Sequence, residues 1–288
     1  VNDPPLPNLT VQQLEYLVAA AHEPTFARAA AAVGVSPSAL SQGLAELERR
    51  VGIALFEPAG RGRVLAADAE EVVRHAERVL ADTGELARWV DARRTGRTGP
   101  LRVGMIDVAA VDHFSEALRG FRRERPDVEL RLTVAPSGEV LDQLGRGALD
   151  LAVCVAPASD DGLAVTPLRD EPLAVYAPPG VRPGPPARWG PWVTFPANSR
   201  TRQIVADALR AAGAPFEVVA ESHQPEVLAE MVRLGVGWTA LPVVQAERGP
   251  DPLKRAVKGE LARRQLVAAQ RADRSPSPAA DALVAALA

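Results

Sequence analysis

Ser36, Ser38, Ser41 and Gln42 cluster in a short stretch with helical spacing. These side chains are short, uncharged and rich in hydrogen-bonding atoms, as a helix needs if it is to read base edges in a major groove. Thr25 and Arg28 lie just upstream, and Arg61 and Arg63 just downstream around Gly62. Residues of those types hold phosphates or enter a minor groove. Other chemistries find little support. The single cysteine, Cys154, excludes an internal disulfide and a multi-cysteine metal site, and its apolar run Leu149–Ala156 reads as buried core. The four histidines (22, 75, 113 and 223) show no metal-ligand spacing, and HExxH, GxSxG, P-loop and GxGxxG patterns are absent. Ser137 with Asp112 and His113 is a poor triad, because adjacent side chains on one helix do not point at each other. No enzyme activity, metal or cofactor is expected.

The elements that position the polar stretch are legible. Thr10-Val11-Gln12-Gln13 has the form of a capping box, and Leu14, Leu17, Val18 and Ala21 follow at helical spacing. Thr25 can cap a second helix, Phe26–Val33, which Gly34 closes. Ser36-Pro37 then opens a third, Ser being a preferred cap and Pro a preferred first residue, with Leu40, Leu44 and Leu47 as its buried stripe. Two helices joined by a short turn with glycine form a helix-turn-helix. A plain helical hairpin with a solvated polar face fits the same pattern. Ile53–Phe56 and Arg63–Leu65 then read as a hairpin, a wing whose tip carries arginines. A long helix, about 68–93, repeats Val72/Val73, Ala76, Val79/Leu80, Thr83, Leu86/Ala87 and Val90, a seam for a partner helix. Residues 93–100 read as a linker.

Ala29-Ala30, Val35-Ser36-Pro37-Ser38-Ala39-Leu40-Ser41-Gln42, Leu44, Leu47-Glu48, Gly52 and Leu55-Phe56-Glu57, at these spacings, resemble the signature of LysR-type transcriptional regulators. The whole chain is similar to that family in order and length. The sequence departs from the pattern at Pro37, where a glutamine is frequent, and at Ala66, Ala67 and Ala69, where Thr, Glu and Gly are usual. Gly43 stands in the recognition helix, where it costs about 1 kcal/mol relative to Ala.

From Leu101 the pattern alternates. Strands 101–106, 128–134 and 149–155 with helices 112–124 and 138–146 make a βαβαβ unit, hence a mainly parallel sheet. A Pro-rich stretch, 178–191, precedes a second unit: strand 192–195, helix 201–212, strand 216–219, helix 225–234 and strand 236–241. Strand 265–270 and helix 279–288 close the chain. The resemblance implies a two-lobed, type 2 periplasmic-binding-protein-like α/β domain behind a winged helix-turn-helix. The domains expected are 1–66 for DNA, 67–99 for linker and dimerisation, and 100–288 for an effector. Lobe I would take about 100–172 and 263–288, and lobe II about 173–262. Ligand would sit between the lobes, where strand ends and helix N-termini converge. By resemblance the effector-pocket positions are Ile106, Asp107, Val108, Ser137, Asn198, Ser199, Arg200, Thr201, Arg202, Ser222, His223 and Thr239. Asp107 from one lobe and Arg200 or Arg202 from the other are candidates to clamp a ligand bearing both amine and carboxylate.

The net charge of −3 does not advertise nucleic-acid binding, so any DNA site must be local. Residues 24–66 do carry five arginines against three glutamates. No apolar run approaches the roughly 18 residues a membrane span needs, and the first residues lack a signal-peptide pattern, so the cytoplasm is expected. The expected function is a DNA-binding transcription regulator of the LysR type, controlled by a small-molecule effector. Its partners would be a pseudo-palindromic duplex and copies of itself, as dimer or tetramer, with no membrane. A ligand-blind DNA-binding or oligomerisation protein is the alternative, and an enzyme on the same fold a remote one.

Overall fold

In a computed structural model, residues 8–59, 62–95 and 99–288 are described, without the side chains of residues 92, 93 and 95. The chain divides into two compact units, Val1–Arg97 with Gly145–Ala148, and Thr98–Leu144 with Leu149–Ala288.

The first unit opens with α1 (Val11–His22). The capping box forms as the spacing predicts: Thr10 Oγ1 accepts from the Gln13 amide at 3.2 Å and Gln13 Oε1 accepts from the Thr10 amide at 3.1 Å. In α2 (Phe26–Ala32) the Thr25 side chain caps the amide of Arg28, and in α3 (Pro37–Val51) Ser36 caps Ala39 ahead of Pro37. The α3 helix ends at Gly52, whose φ of 83° is the left-handed conformation that glycine adopts without strain. Leu14, Leu17, Ala29, Ala30, Leu40, Leu44 and Leu47 make the core between these helices. Gly43 has a reason to be glycine. A Cβ there would stand 2.5 Å from Cδ2 of the buried Tyr16 ring, so its absence lets α1 and α3 approach.

The hairpin is β1 (Phe56–Ala59) and β2 (Gly62–Leu65), antiparallel with Phe56 opposite Leu65. Its first strand starts at Phe56 rather than Ile53. The amides of Leu55 and Phe56 donate to Glu48 Oε1 at 2.8 and 3.2 Å, which pins the start of the strand to α3. Then comes α4 (Ala69–Thr95). Its first half does not wait for a partner chain: Ala69, Val73 and Ala76 are buried in the core of this unit. Its second half exposes Leu86, Trp89 and Val90.

The second unit comprises β3 (Leu101–Met105), a π-helical turn at Ala109–His113, α5 (Ser115–Glu124), β4 (Leu130–Val134), α6 (Ser137–Gly145) and β5 (Leu151–Val155). It continues with β6 (Leu163–Tyr176), β7 (Trp192–Thr194), α7 (Arg200–Ala211), β8 (Val218–Glu221) and α8 (Pro225–Arg233), then β9 (Thr239–Pro242), α9 (Val243–Ala246), β10 (Ala262–Arg271) and α10 (Pro278–Leu287). Six strands form one sheet in the order β4-β3-β5-β10-β6-β9. The three strands of the expected βαβαβ unit, β3, β4 and β5, run parallel, and the rest of the sheet is antiparallel: β10 to β5 and β6, and β9 to the end of β6. The helix expected at 112–124 begins instead as the π-helical turn and becomes α5 at Ser115.

Three clusters of buried residues pack around the sheet. One gathers β3, β5, α5, α6 and the inner half of β10, closed by Ala280, Leu283 and Leu287 of α10. The other two share the end of β6, β7 and β9: one holds Phe195 of the loop after β7 with Leu228 and Val232 of α8, the other Trp192 and Trp238 with Val205 and Leu209 of α7. The long strands β6 and β10 run side by side, with Arg264 directly opposite Glu171.

Candidate functional site

In the first unit, α3 buries Leu40, Leu44 and Leu47 and turns Ser38, Ser41, Gln42 and Ala45 outward. The face expected to meet bases is therefore uncovered within its own unit. Ser36 is partly spent, since its Oγ caps Ala39 and lies 3.0 Å from Ser38 Oγ. Arg28 is exposed and ion-paired with Glu23 at 3.1 Å. Arg63 stands on β2 with its guanidinium 6.0 Å from the centre of the Phe26 ring, which fixes the wing arginine over α2. Phe26 in turn meets Phe56 edge to face at 5.1 Å. Arg61 lies outside the described residues. At the far end of α3, Arg49 and then Arg50 hold the Glu46 carboxyl down to about 2, so both arginines are engaged along their own helix.

In the second unit, a cavity of about 310 Å³ opens at the ends of β3 and β4 and the starts of α6 and α7. Six of the sequence-predicted positions line it: Ile106, Asp107, Ser137, Ser199, Thr201 and His223. Each is placed by an element end. Ile106 and Asp107 follow β3, Ser137 opens α6, and Ser199 and Thr201 open α7. His223 follows β8 and precedes α8. The other predicted positions do not line it. Val108 is fully buried in the first core, and Thr239 is fully buried on β9. Asn198 is exposed. Ser222 Oγ accepts from the Gln224 amide at 3.1 Å. Arg200 donates to Gln203 at 3.2 Å, and Arg202 pairs with Glu221 while stacking 5.8 Å from the Phe216 ring. The clamp between Asp107 and Arg200 or Arg202 is not assembled: neither arginine lines the cavity, and Arg202 is paired with Glu221.

The cation that does line the cavity is Arg264, which the sequence did not nominate. It is 5 % exposed, donates to Glu171 Oε2 at 2.6 Å and to Thr201 Oγ1 at 2.7 Å, and so links β10, β6 and the start of α7. Glu171 Oε1 lies 2.7 Å from Nε2 of His113. Burial would raise the Glu171 carboxyl, but His113 and Arg264 together outweigh it and hold it below the ordinary range. Asp107 Oδ2 accepts from Gln245 Nε2 at 2.8 Å. Val134, Ala135, Pro136, Val155, Phe195 and Gln224 complete the lining.

Ser137, Asp112 and His113 do not converge. Ser137 Oγ accepts from the Val155 amide, Asp112 pairs with Arg248, and His113 faces Glu171. Cys154 is fully buried, and burial pushes its thiol up to about 12.

Residues 94–288 match the model of the LysR substrate binding domain, and residues 11–70 that of bacterial regulatory helix-turn-helix proteins of the lysR family. The HTH-type transcriptional regulator DgdR of Burkholderia cepacia is 33 % identical over 85 % of this chain and 83 % of its own. A probable hydrogen peroxide-inducible genes activator of Mycobacterium avium is 36 % identical over 59 % of this chain and 55 % of its own. Among solved structures, the LysR family regulator CbnR superimposes with a TM-score of 0.63 at 19 % identity, covering 97 % of this chain and 98 % of that one. CbnR has also been solved in complex with its target DNA, and that structure aligns with a TM-score of 0.61 at 19 % identity, covering 97 % of this chain and all of that one.

Proposed function

The chain belongs to the LysR family of transcriptional regulators, a helix-turn-helix followed by a substrate-binding domain, and from that premise we propose how its own residues divide the work. Two copies pair through the exposed second half of α4, and pairs of such dimers form tetramers. The two α3 helices enter successive major grooves of a pseudo-palindromic duplex about one turn apart, or a multiple of it. Ser38 and Gln42 contact base edges. Thr25, Arg28, Ser41, Arg61 and Arg63 hold phosphates or the minor groove, with Ser36 fixing the start of the helix. The protein acts in the cytoplasm as a regulator, not as a catalyst. The observation that carries this reading is the uncovered polar face of α3, where Ser38, Ser41 and Gln42 are all exposed.

The cavity lined by Asp107, Ser137, Thr201 and Arg264 receives the effector. Ligation there biases how the two lobes stand and so the spacing or bend of the bound DNA. Thiol oxidation is a poor alternative signal for this chain, whatever its peroxide-related relatives do. Its only cysteine is buried, and a thiol pushed up to about 12 supplies almost no thiolate, which is the reactive form.

Selection of duplexes from a random pool by the full chain tests the DNA reading. Enrichment of an inverted repeat with fixed half-site spacing is expected; a pool left unenriched at physiological salt overturns it. A thermal-shift screen of metabolites tests the cavity. A ligand at 100 times its Kd adds about 2.7 kcal/mol of stability, readily seen as a raised Tm.

A further inference from the structure

We infer that the effector of this chain is a small aliphatic α-amino acid, bound in the cavity as a zwitterion with its ammonium on Asp107 and its carboxylate at the start of α7 beside Arg264. The inference rests on the reading of this cavity as the effector site and deepens it.

Charge decides the class. On one side stands Asp107, which accepts from the neutral amide of Gln245 and has no cationic partner among the described residues. The Asp107 carboxylate lines the cavity, and its oxygens are acceptors. An ammonium brings three donors and satisfies such acceptors, where a hydrocarbon or a carboxylate would leave them bare. On the other side stand Arg264 and α7. The bonds of Arg264 to Glu171 and Thr201 use two of the five N–H groups a guanidinium carries. The α7 helix has no acid in its first turn, and its N-cap Ser199 makes no side-chain bond to the helix amides. Its first amides and the roughly +0.5 charge of a helix N-terminus thus remain for an anion.

A carboxylate with no amine would add negative charge to a wall where Glu171 already balances Arg264 and Asp107 stands without a cation. An amine with no carboxylate would leave Arg264 and α7 unfilled. A zwitterion, with no net charge, satisfies both ends. The rest of the lining sets the side chain. Ile106, Val134, Pro136, Val155 and Phe195 offer an apolar wall, and about 310 Å³ lies at the small end of the roughly 300–1,000 Å³ of ligand pockets.

Isothermal titration of the full chain tests this with alanine, 2-aminobutyrate, valine and leucine, each beside its carboxylate-only and amine-only counterpart (for valine, 3-methylbutanoate and 2-methylpropylamine). At least one amino acid is expected to bind about tenfold or more tightly than either counterpart. Asp107→Asn is expected to erase that preference, so that amino acid and carboxylate bind alike. A carboxylate or amine that binds as well as its amino acid, a preference unchanged by Asp107→Asn, or silence from all four amino acids would overturn the class. Ala135→Trp, which fills the cavity, separates this from the reading beneath it. If any probe binds and this variant abolishes binding, the cavity is the effector site even where the class is wrong. If a probe binds the variant undiminished, the cavity reading itself fails. Silence from every probe leaves the cavity to the metabolite screen described above.

Discussion

Gln42 and Arg63 would meet DNA through different physics, and that difference can be measured. A glutamine amide offers a donor and an acceptor in fixed order and so discriminates among base edges; an arginine over the backbone responds to phosphate charge alone. Gln42→Ala is expected to relax preference at one base position by about 1–3 kcal/mol. Arg63→Ala should weaken all sequences alike and reduce the salt slope by about 1. Competition assays across single-base variants and salt titrations read both, and equal loss on every sequence for Gln42→Ala would remove its assigned role. Cys154 supplies a second residue-scale test. With its thiol pushed up to about 12 by burial, it should resist iodoacetamide at pH 8 in the native chain and react after denaturation. Rapid native labelling, followed by mass spectrometry, would contradict that placement. Residues of this kind differ in how visible they are from sequence. Ser36 and Gln42 announce themselves through local spacing. Arg264 has no local signal at all, because its partners Glu171 and Thr201 lie 93 and 63 positions away and meet it only once β10 is laid beside β6.

Among the elements, α3 carries the sharpest conflict between local propensity and packing. Gly43→Ala gains about 1 kcal/mol in helix propensity, but it drives a methyl into the Tyr16 ring, and overpacking costs about 1–3 kcal/mol. The Tyr16 ring is buried and its hydroxyl is tied to Gln12 at 2.8 Å, so it cannot swing aside cheaply. The substitution should therefore lower the midpoint of urea unfolding; an unchanged or raised midpoint would show that the two helices can part without loss. The helices themselves were readable because caps are local chemistry: Thr10, Thr25 and Ser36 all cap as their positions predict. The strand β6 was not readable. Pro167 and Pro172 argue against a strand, and Arg169-Asp170-Glu171 breaks its alternation. The structure tolerates both prolines because β9 pairs β6 only from Leu173 onward, leaving the earlier residues on an open edge, while a bulge falls between Leu266 and Val267 opposite Pro167. With β10, β6 adds an antiparallel half to the parallel strands expected from the sequence.

For the molecule as a whole, the proposal requires two copies. The seam written along α4 splits in the structure. Its early positions serve the core of the first unit, and Leu86 and Val90, exposed at 60 % and 49 %, remain for a second chain. Leu86→Asp combined with Val90→Asp is expected to shift the chain toward monomer in sedimentation experiments and to weaken operator binding by more than tenfold, since a single half-site then stands alone. Unchanged sedimentation would place the dimer contact elsewhere. The order of domains was legible from the sequence, because motif spacing and alternation of strand with helix survive without any knowledge of contacts. Which loops meet around the cavity was only half legible. Element ends supply Ile106, Asp107, Ser137, Ser199, Thr201 and His223, whereas strand-interior Arg264 and Val155 depend on the pairing of distant segments.

The path of β10 has a genetic corollary. The lobe that begins at Leu101 is not finished until β10 and α10 are in place, since Leu266–Ala269 sit beside β5 and Leu283 and Leu287 of α10 fill the same interior. A late nonsense mutation, one that spares every residue of α7 and α8, would still gut the earlier half. Libraries of C-terminal deletions should therefore lose soluble product once α10 is cut into and yield none once β10 is gone, and a nascent polypeptide cannot complete that lobe until both elements have been translated.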